Sequence, residues 1–235
     1  MRIDVADLSG TAAYRILTDT VVPRPVAWVS TLSPDGTRNL APFSFFQAVG
    51  GRPPTVVVSV GKHDDGDRKD TAENAIAAGE LVVNIVSEDL LERMNATSGD
   101  YTIDVDEFDV AGVTAAPCEH VRPPRVAESP VSFECRLLHH WPLGEGGDAY
   151  TLLLCEIVAF HLRDGLLGEN GRVDPDALRP ICRLGGTGFA RLGEIIQLAR
   201  PRISRTWPRG RSSRPLPGCR NRPNRCRLHC PSRVR

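Results

Sequence analysis

The first three extended segments of this chain follow one another so closely that no helix fits between them. Residues 26–31 (Val-Ala-Trp-Val-Ser-Thr) are β-branched and aromatic, and Ser33-Pro34-Asp35-Gly36 turns the chain directly afterwards. Residues 39–49 read as a second extended segment, and Gly50-Gly51-Arg52-Pro53-Pro54 breaks it. Residues 55–60 (Thr-Val-Val-Val-Ser-Val) form a third, apolar enough to be buried on both faces. A doubly wound parallel sheet needs strands regularly separated by helices. That alternation is missing, so the pattern predicts a mainly β, antiparallel barrel of about six strands with helical insertions.

The remaining elements fit that frame. Pro42 inside the second segment cannot donate to a ladder, which places it at an edge, a bulge or a loop. A helix is expected from Asp70, with Asp70 as its cap and Glu73 completing a capping-box pair. Gly79 ends it. A strand over 81–86 follows, then a helix over 87–96 capped by Ser87. Residues 98–130 are rich in Asp and Pro and read as a long excursion with little regular structure. Residues 131–137 alternate apolar and polar as a half-buried strand, and 150–162 read as a longer one. Residues 144–148 make the hairpin connection between them, and Pro175 and Pro180 bracket a short turn or helix.

The charge is distributed in two unlike pieces. The chain of 235 residues holds 29 basic and 29 acidic residues. Residues 1–200 carry 18 basic and 29 acidic residues, a net of −11, while residues 201–235 carry 11 arginines and no acid, a net of +11. The expected organisation is therefore a domain over 1–200 and a basic, Arg/Pro-rich, disordered tail over 201–235. Three readings of the tail stand: an arm for anionic surfaces or nucleic acid, a metal knuckle of Cys219, Cys226, His229 and Cys230, or an unselected extension of the kind GC-rich DNA gives when read out of frame. The last is preferred, and nucleic acid is not expected as a partner. No apolar run approaches the roughly 18 residues of a spanning helix and no secretory signal is visible, so a cytoplasmic location without membrane attachment is expected.

Several chemistries lack their signatures. There is no Gly-x-Gly-x-x-Gly between strand and helix, no Walker loop and no His-Glu-x-x-His. Ser44 and Ser59 have no nucleophile elbow. Cys118, Cys135, Cys155 and Cys182 follow no paired-ligand spacing, so free thiols and no metal are expected. Adjacent His139 and His140 at a strand end point to opposite faces and read as structural or solvated.

Two stretches stand out instead. Residues 23–31 lead into 39–46 and set Thr31, Asn39 and Ser44 among rigid apolar residues, beside a proline that interrupts pairing and frees backbone N–H groups. Lys69-Asp70-Thr71-Ala72-Glu73-Asn74 puts a cation and a hydroxyl at a helix N-terminus, where anions bind readily. Ordinary capping and core packing explain either stretch taken alone.

Together, Pro-Arg-Pro-Val-Ala-Trp-Val-Ser-Thr, Asp-Gly-Thr-Arg-Asn-Leu-Ala-Pro-Phe-Ser-Phe-Phe, Pro-Pro-Thr-Val-Val-Val-Ser-Val, Lys-Asp-Thr-Ala-Glu-Asn and Gly-Phe-Ala-Arg-Leu-Gly at 188–193 occur in one order. In this the chain resembles the flavin reductase-like, FMN-binding split-barrel proteins, including the flavoredoxin-type members, over residues 10–200. The resemblance implies a six-stranded antiparallel split barrel, a homodimer, and FMN near the dimer interface. It implies Thr31 at the ring edge, and Asn39, Ala41, Pro42, Ser44 and Phe45 along the ring and ribityl chain. Lys69, Asp70, Thr71 and Asn74 are implied around the phosphate, with Arg24 and Arg191 as further contacts. The implied activity is an oxidoreductase of the NAD(P)H-dependent flavin reductase type, passing electrons to a flavin or an acceptor protein. The alternative is a flavoprotein electron carrier reduced by a partner protein. Because the flavin carries the chemistry, no catalytic side chain is assigned.

Overall fold

The computed structural model describes residues 1–63, 67–145 and 149–201. Chain contacts divide it into Met1–Ile195 and Ile196–Arg235. Of the second unit only 196–201 are described, without secondary structure, so the basic tail and its Cys219, Cys226, His229 and Cys230 lie outside the described residues. The hairpin connection expected at 144–148 also falls largely outside them.

After a 3-10 turn (Val5–Asp7) the first unit has helix α1 (Gly10–Thr20), then strands β1 (Arg24–Pro25), β2 (Ala27–Leu32), β3 (Arg38–Phe43), β4 (Phe46–Gly51) and β5 (Pro54–Gly61). Helix α2 (Asp70–Ala78) and strand β6 (Glu80–Ile85) follow. Helices α3 (Leu91–Ala96) and α4 (Glu107–Ala111) lead to the two-residue strands β7 (Ala115–Ala116) and β8 (Arg125–Val126). The long strands β9 (Val131–Leu143) and β10 (Tyr150–Leu162), helix α5 (Pro175–Leu178) and the short strands β11 (Ile181–Arg183) and β12 (Phe189–Arg191) complete it. None of the described helices is long and apolar enough to cross a membrane.

Seven strands make one antiparallel sheet in the order β3-β2-β6-β9-β10-β5-β4. Its two edges, β3 and β4, are consecutive in the chain, with only Ser44 and Phe45 between them. A link from Phe43 to Phe46 spans at most about 11 Å, so the edges must meet at that end. The Ser59 N–H donates to Phe45 O at 2.8 Å and fastens the link to β5. No ladder joins β3 to β4, so the sheet curls into a barrel that stays split along this seam. The split-barrel expectation holds. The sheet has seven strands rather than six because the expected segment 39–49 is two strands, broken at Ser44.

The barrel interior is filled from alternate positions. Val56, Val58 and Val60 of β5 are buried with Ala27, Val29, Leu81, Val83, Leu153 and Cys155, and with Ala72 and Ala75 of α2. A second cluster on the outside joins Val26, Trp28 and Leu40 to Leu90, Met94 and Phe108. Strand β2 is thus covered on both faces. Strand β5 is not: Val57 and Ser59 are only half-buried, so burial on both faces, expected for 55–60, is corrected to one full face.

Three local expectations also change. Lys69, not Asp70, is the N-cap of α2; Asp70 is its first residue, and no side chain caps the helix. The segment after Ser87 starts as a 3-10 turn (Glu88–Leu90) before α3, and the Ser87 hydroxyl is buried without a partner instead of capping. Strand β9 runs on to Leu143, so His139 and His140 lie within it, opposite Leu154 and Leu153, and both are exposed.

Candidate functional site

The site grows from the edge strand β3. One of its flanks pairs with β2, and Thr31 sits opposite Asn39. The other flank is covered by α4, which Arg38 holds through Asp106 and Asp109. An edge strand presents unpaired N–H groups, and here the Leu40 N–H donates to Glu107 Oε2 at 3.1 Å. The other carboxylate oxygen accepts from Asn39 Nδ2 at 2.9 Å. Asn39 Oδ1 accepts from the Thr31 hydroxyl at 3.1 Å and the Thr71 hydroxyl at 2.7 Å, and Asn74 Nδ2 donates to Thr31 Oγ1 at 3.3 Å. All five side chains are buried. Burial pushes the Glu107 carboxyl up from its ordinary value, against the bonds from Leu40 and Asn39 that pull it down.

This network backs a cleft of about 70 Å³. Its walls are Ala41, Pro42 and Phe43 of β3, Lys69, Asp70 and Thr71 at the start of α2, and residues 97–101. The first N–H groups of a helix have no partner inside it; Asp70 and Thr71 line the cleft, and the bonds to Lys69 O begin only at Ala72 and Glu73. Lys69 Nζ lies 3.4 Å from Asp100 Oδ1, and His63 Nδ1 lies 3.1 Å from the same oxygen. The Lys69 charge, above all, holds the Asp100 carboxyl below its usual value.

Of the residues singled out from sequence, Asn39, Ala41, Pro42, Lys69, Asp70 and Thr71 line one cleft. Thr31 and Asn74 stand behind it as hydrogen-bond partners. Ser44 and Phe45 do not line it. They sit on the β3–β4 link, where the Arg24 Nε lies 3.4 Å from Ser44 Oγ and the guanidinium 5.7 Å from the Phe45 ring centre. Arg24 itself is buried and donates to the carbonyls of Thr18, Val21 and Leu184, which makes it a tie between segments. Arg191 pairs with Glu88, which also holds Arg179 at 2.6 Å, and is not at the cleft.

The sequence reading passed over His63, Asp100, Tyr101 and Glu107. Three of these lie in the excursion read as irregular. One signal was available there: Asp106 caps α4 by accepting from the Phe108 N–H at 3.0 Å, and Phe108 is a lone aromatic among acids that is fully buried.

A second cluster, Cys118, Glu134 and His161, brings metal-ligating atoms within 4.8 Å of one another. Glu134 is already occupied. Its oxygens accept from the Glu119 N–H at 3.0 Å and the His120 N–H at 2.6 Å, and His161 Nε2 lies 2.6 Å away. Burial pushes the Cys118 thiol up to about 11, so it stays protonated at neutral pH. The arrangement is a clamp between β9, β10 and the excursion. Cys135 and Cys155 are fully buried strand residues, the latter pushed up to about 12 by burial.

The model of the flavin reductase like domain matches residues 19–176. An uncharacterized protein of Halalkalibacterium halodurans is 39% identical over 206 residues, covering 87% of this chain and 98% of its own. The crystal structure of nitrilotriacetate monooxygenase component B from Bacillus cereus superposes with a TM-score of 0.80 at 36% identity, over 84% of this chain and 98% of that one. That of Pseudomonas fluorescens 2-nitrobenzoate 2-nitroreductase gives 0.77 at 31% identity, over 86% and 96%.

Proposed function

The chain belongs to the flavin reductase-like family, and from that premise we propose that it is an FMN-binding flavoprotein that oxidises NAD(P)H and passes the electrons to a flavin or an acceptor protein. The observation that carries the reading is the cleft between β3 and α2. A phosphate needs N–H donors and a cation, and the start of α2 offers the Asp70 and Thr71 N–H groups beside the Lys69 ammonium. A flat ring needs an apolar slot with a few polar groups, and Ala41, Pro42 and Phe43 line the same cleft. At about 70 Å³ the cleft is far smaller than the roughly 300–1,000 Å³ of a whole cofactor site. It therefore seats one end of the ligand. A second copy of the chain covering the rest is part of this reading, as is confinement of the function to residues 1–200.

Bound FMN would supply the hydride- and electron-transfer chemistry. The chain's own residues do the holding: Lys69 and the α2 N-terminus bind the anionic end, and the β2–β3–α4 network keeps the β3 wall rigid. Similarity above 30% identity to a monooxygenase component and a nitroreductase favours the reductase over a pure electron carrier. Rapid mixing with NADH and with NADPH decides between them. Flavin that stays oxidised with both points to the carrier.

The direct test is an absorbance spectrum of the purified protein, followed by titration of stripped protein with FMN. Protein that takes up no flavin overturns the reading. Lys69→Ala should weaken FMN about tenfold to a hundredfold, the loss of one charge-assisted phosphate bond, and should leave riboflavin nearly unaffected. Asp100→Asn should act oppositely. It removes the carboxylate that faces Lys69 and competes with an arriving anion, so FMN should bind about two- to fivefold more tightly, the scale of one exposed ion pair. Equal affinities for the Asp100→Asn variant and the parent protein would place the phosphate away from Lys69.

A further inference from the structure

Resting on the flavin reading, we propose that Glu107 is a positioning residue that sets the direction of every hydrogen bond around Asn39, so that Thr71 offers the ligand an acceptor rather than a donor. The Leu40 N–H can only donate, so the Glu107 oxygen facing it at 3.1 Å must accept. We take Glu107 as the carboxylate, which accepts at both oxygens. The atom of Asn39 that meets the other oxygen at 2.9 Å is therefore the amide nitrogen. That choice turns Asn39 Oδ1 toward the two threonines.

An amide oxygen carries no proton, so both threonine hydroxyls must give theirs to it, over 3.1 Å from Thr31 and 2.7 Å from Thr71. Each hydroxyl has one proton only. Thr31 then keeps lone pairs, and Asn74 Nδ2 donates to it at 3.3 Å. Thr71, on the cleft wall, also keeps only lone pairs. Its oxygen suits a ligand hydroxyl or imide N–H and repels a phosphate oxygen. The donors left for phosphate are the Lys69 ammonium and the main-chain N–H groups that open α2. Glu107 thus sorts the ligand end to end: a polyol-type hydroxyl against Thr71, an anion against Lys69.

Glu107→Gln tests this, because glutamine must accept from Leu40 and present an NH₂ to Asn39. Asn39 then turns its oxygen inward and its nitrogen to the threonines, which frees the Thr71 proton for the ligand. In flavin-free protein the Asn39 side-chain NH₂ resonances, identified by their loss in Asn39→Ser, should move in Glu107→Gln and stay in Glu107→Asp. Unmoved resonances in Glu107→Gln overturn the proposal whether or not flavin binds. With ligand, Thr71→Val in the parent protein should change the ratio of FMN to riboflavin affinity less than twofold. In the Glu107→Gln background that ratio should rise severalfold, and adding Thr71→Val should remove the gain. A tenfold fall of the ratio on Thr71→Val alone would mean that the hydroxyl donates to phosphate, and the proposal fails. That arm decides the matter even where Glu107→Gln does not fold. Absence of any flavin binding defeats the functional reading, and the resonances of the flavin-free protein still judge Glu107.

Discussion

Arg24→Ala should melt about 6–20 °C below the parent protein, the shift that roughly 3–5 kcal/mol of lost charge-assisted hydrogen bonds produces in a domain of this size. Arg24 is buried, and its guanidinium reaches three carbonyls in two segments at once. It donates to Thr18 O at 2.6 Å and Val21 O at 2.8 Å at the end of α1, and to Leu184 O at 2.8 Å after β11. Alanine leaves three carbonyls without their donor and opens a gap under Phe45. A buried acceptor that loses its partner costs its full desolvation penalty. Lysine should recover little, because one ammonium cannot reproduce a planar fork that spans both sides. Thermal unfolding checks this. An Arg24→Lys protein that melts with the parent would show that the charge alone matters.

Glu134→Ala is expected to cost a similar amount, about 3–5 kcal/mol. The Glu134 side chain is fully buried, and its removal strands two backbone N–H groups and the His161 ring. Burial works to raise the Glu134 carboxyl, but the bonds from Glu119, His161 and His120 outweigh it, so the group titrates below its ordinary value. A carboxyl lowered in the folded state contributes stability that is present above its unfolded value, near 4.3, and lost as pH falls through the folded value. The gap in denaturant midpoint between parent and Glu134→Ala should therefore be full at neutral pH and shrink in acid below about pH 4. A gap that is constant down to the acid limit would mean the loss comes from packing and not from the charge.

Both residues show where reading the sequence stops. Glu134 sits in Val-Ser-Phe-Glu-Cys-Arg-Leu, whose alternation predicts a strand with Glu134 on one of its faces. The alternation does not say that the excursion folds over that face and supplies two N–H groups. Arg24 belongs to a recognisable motif, and the motif suggested a ligand contact. The structure gives its donors to main-chain carbonyls up to 160 residues away in sequence. Helix α1 went unread. Its apolar residues recur at helical spacing, but Tyr14, Ile16 and Leu17 are exposed and only Thr18 is buried, so the helix is not part of the core that patterning locates.

Strands were legible because side-chain alternation is local: the strand expected over 150–162 is β10, Tyr150–Leu162. Strand β5 was misjudged because a run of valines is apolar on both faces, and only its neighbours decide which face is covered. Pro42 pointed to an edge, a bulge or a loop, and β3 is an edge, since a residue without an N–H cannot serve a central ladder.

The sequence by itself determined the fold class, the turns that force antiparallel neighbours, and the residue types that meet at the cleft. Periodicity, glycine and proline act within a few residues, and the motifs carry their chemistry in order. The tertiary structure alone decided that the two edges of the sheet meet at Ser44 and Phe45. It also decided that Glu107 caps the open edge of β3, and that Asn39 spends its amide on neighbours. Those facts depend on pairings between residues far apart in the chain, such as Asn39 with Glu107 and Thr71. Hydrogen-bond direction follows from which donor finds which acceptor after the chain has closed on itself.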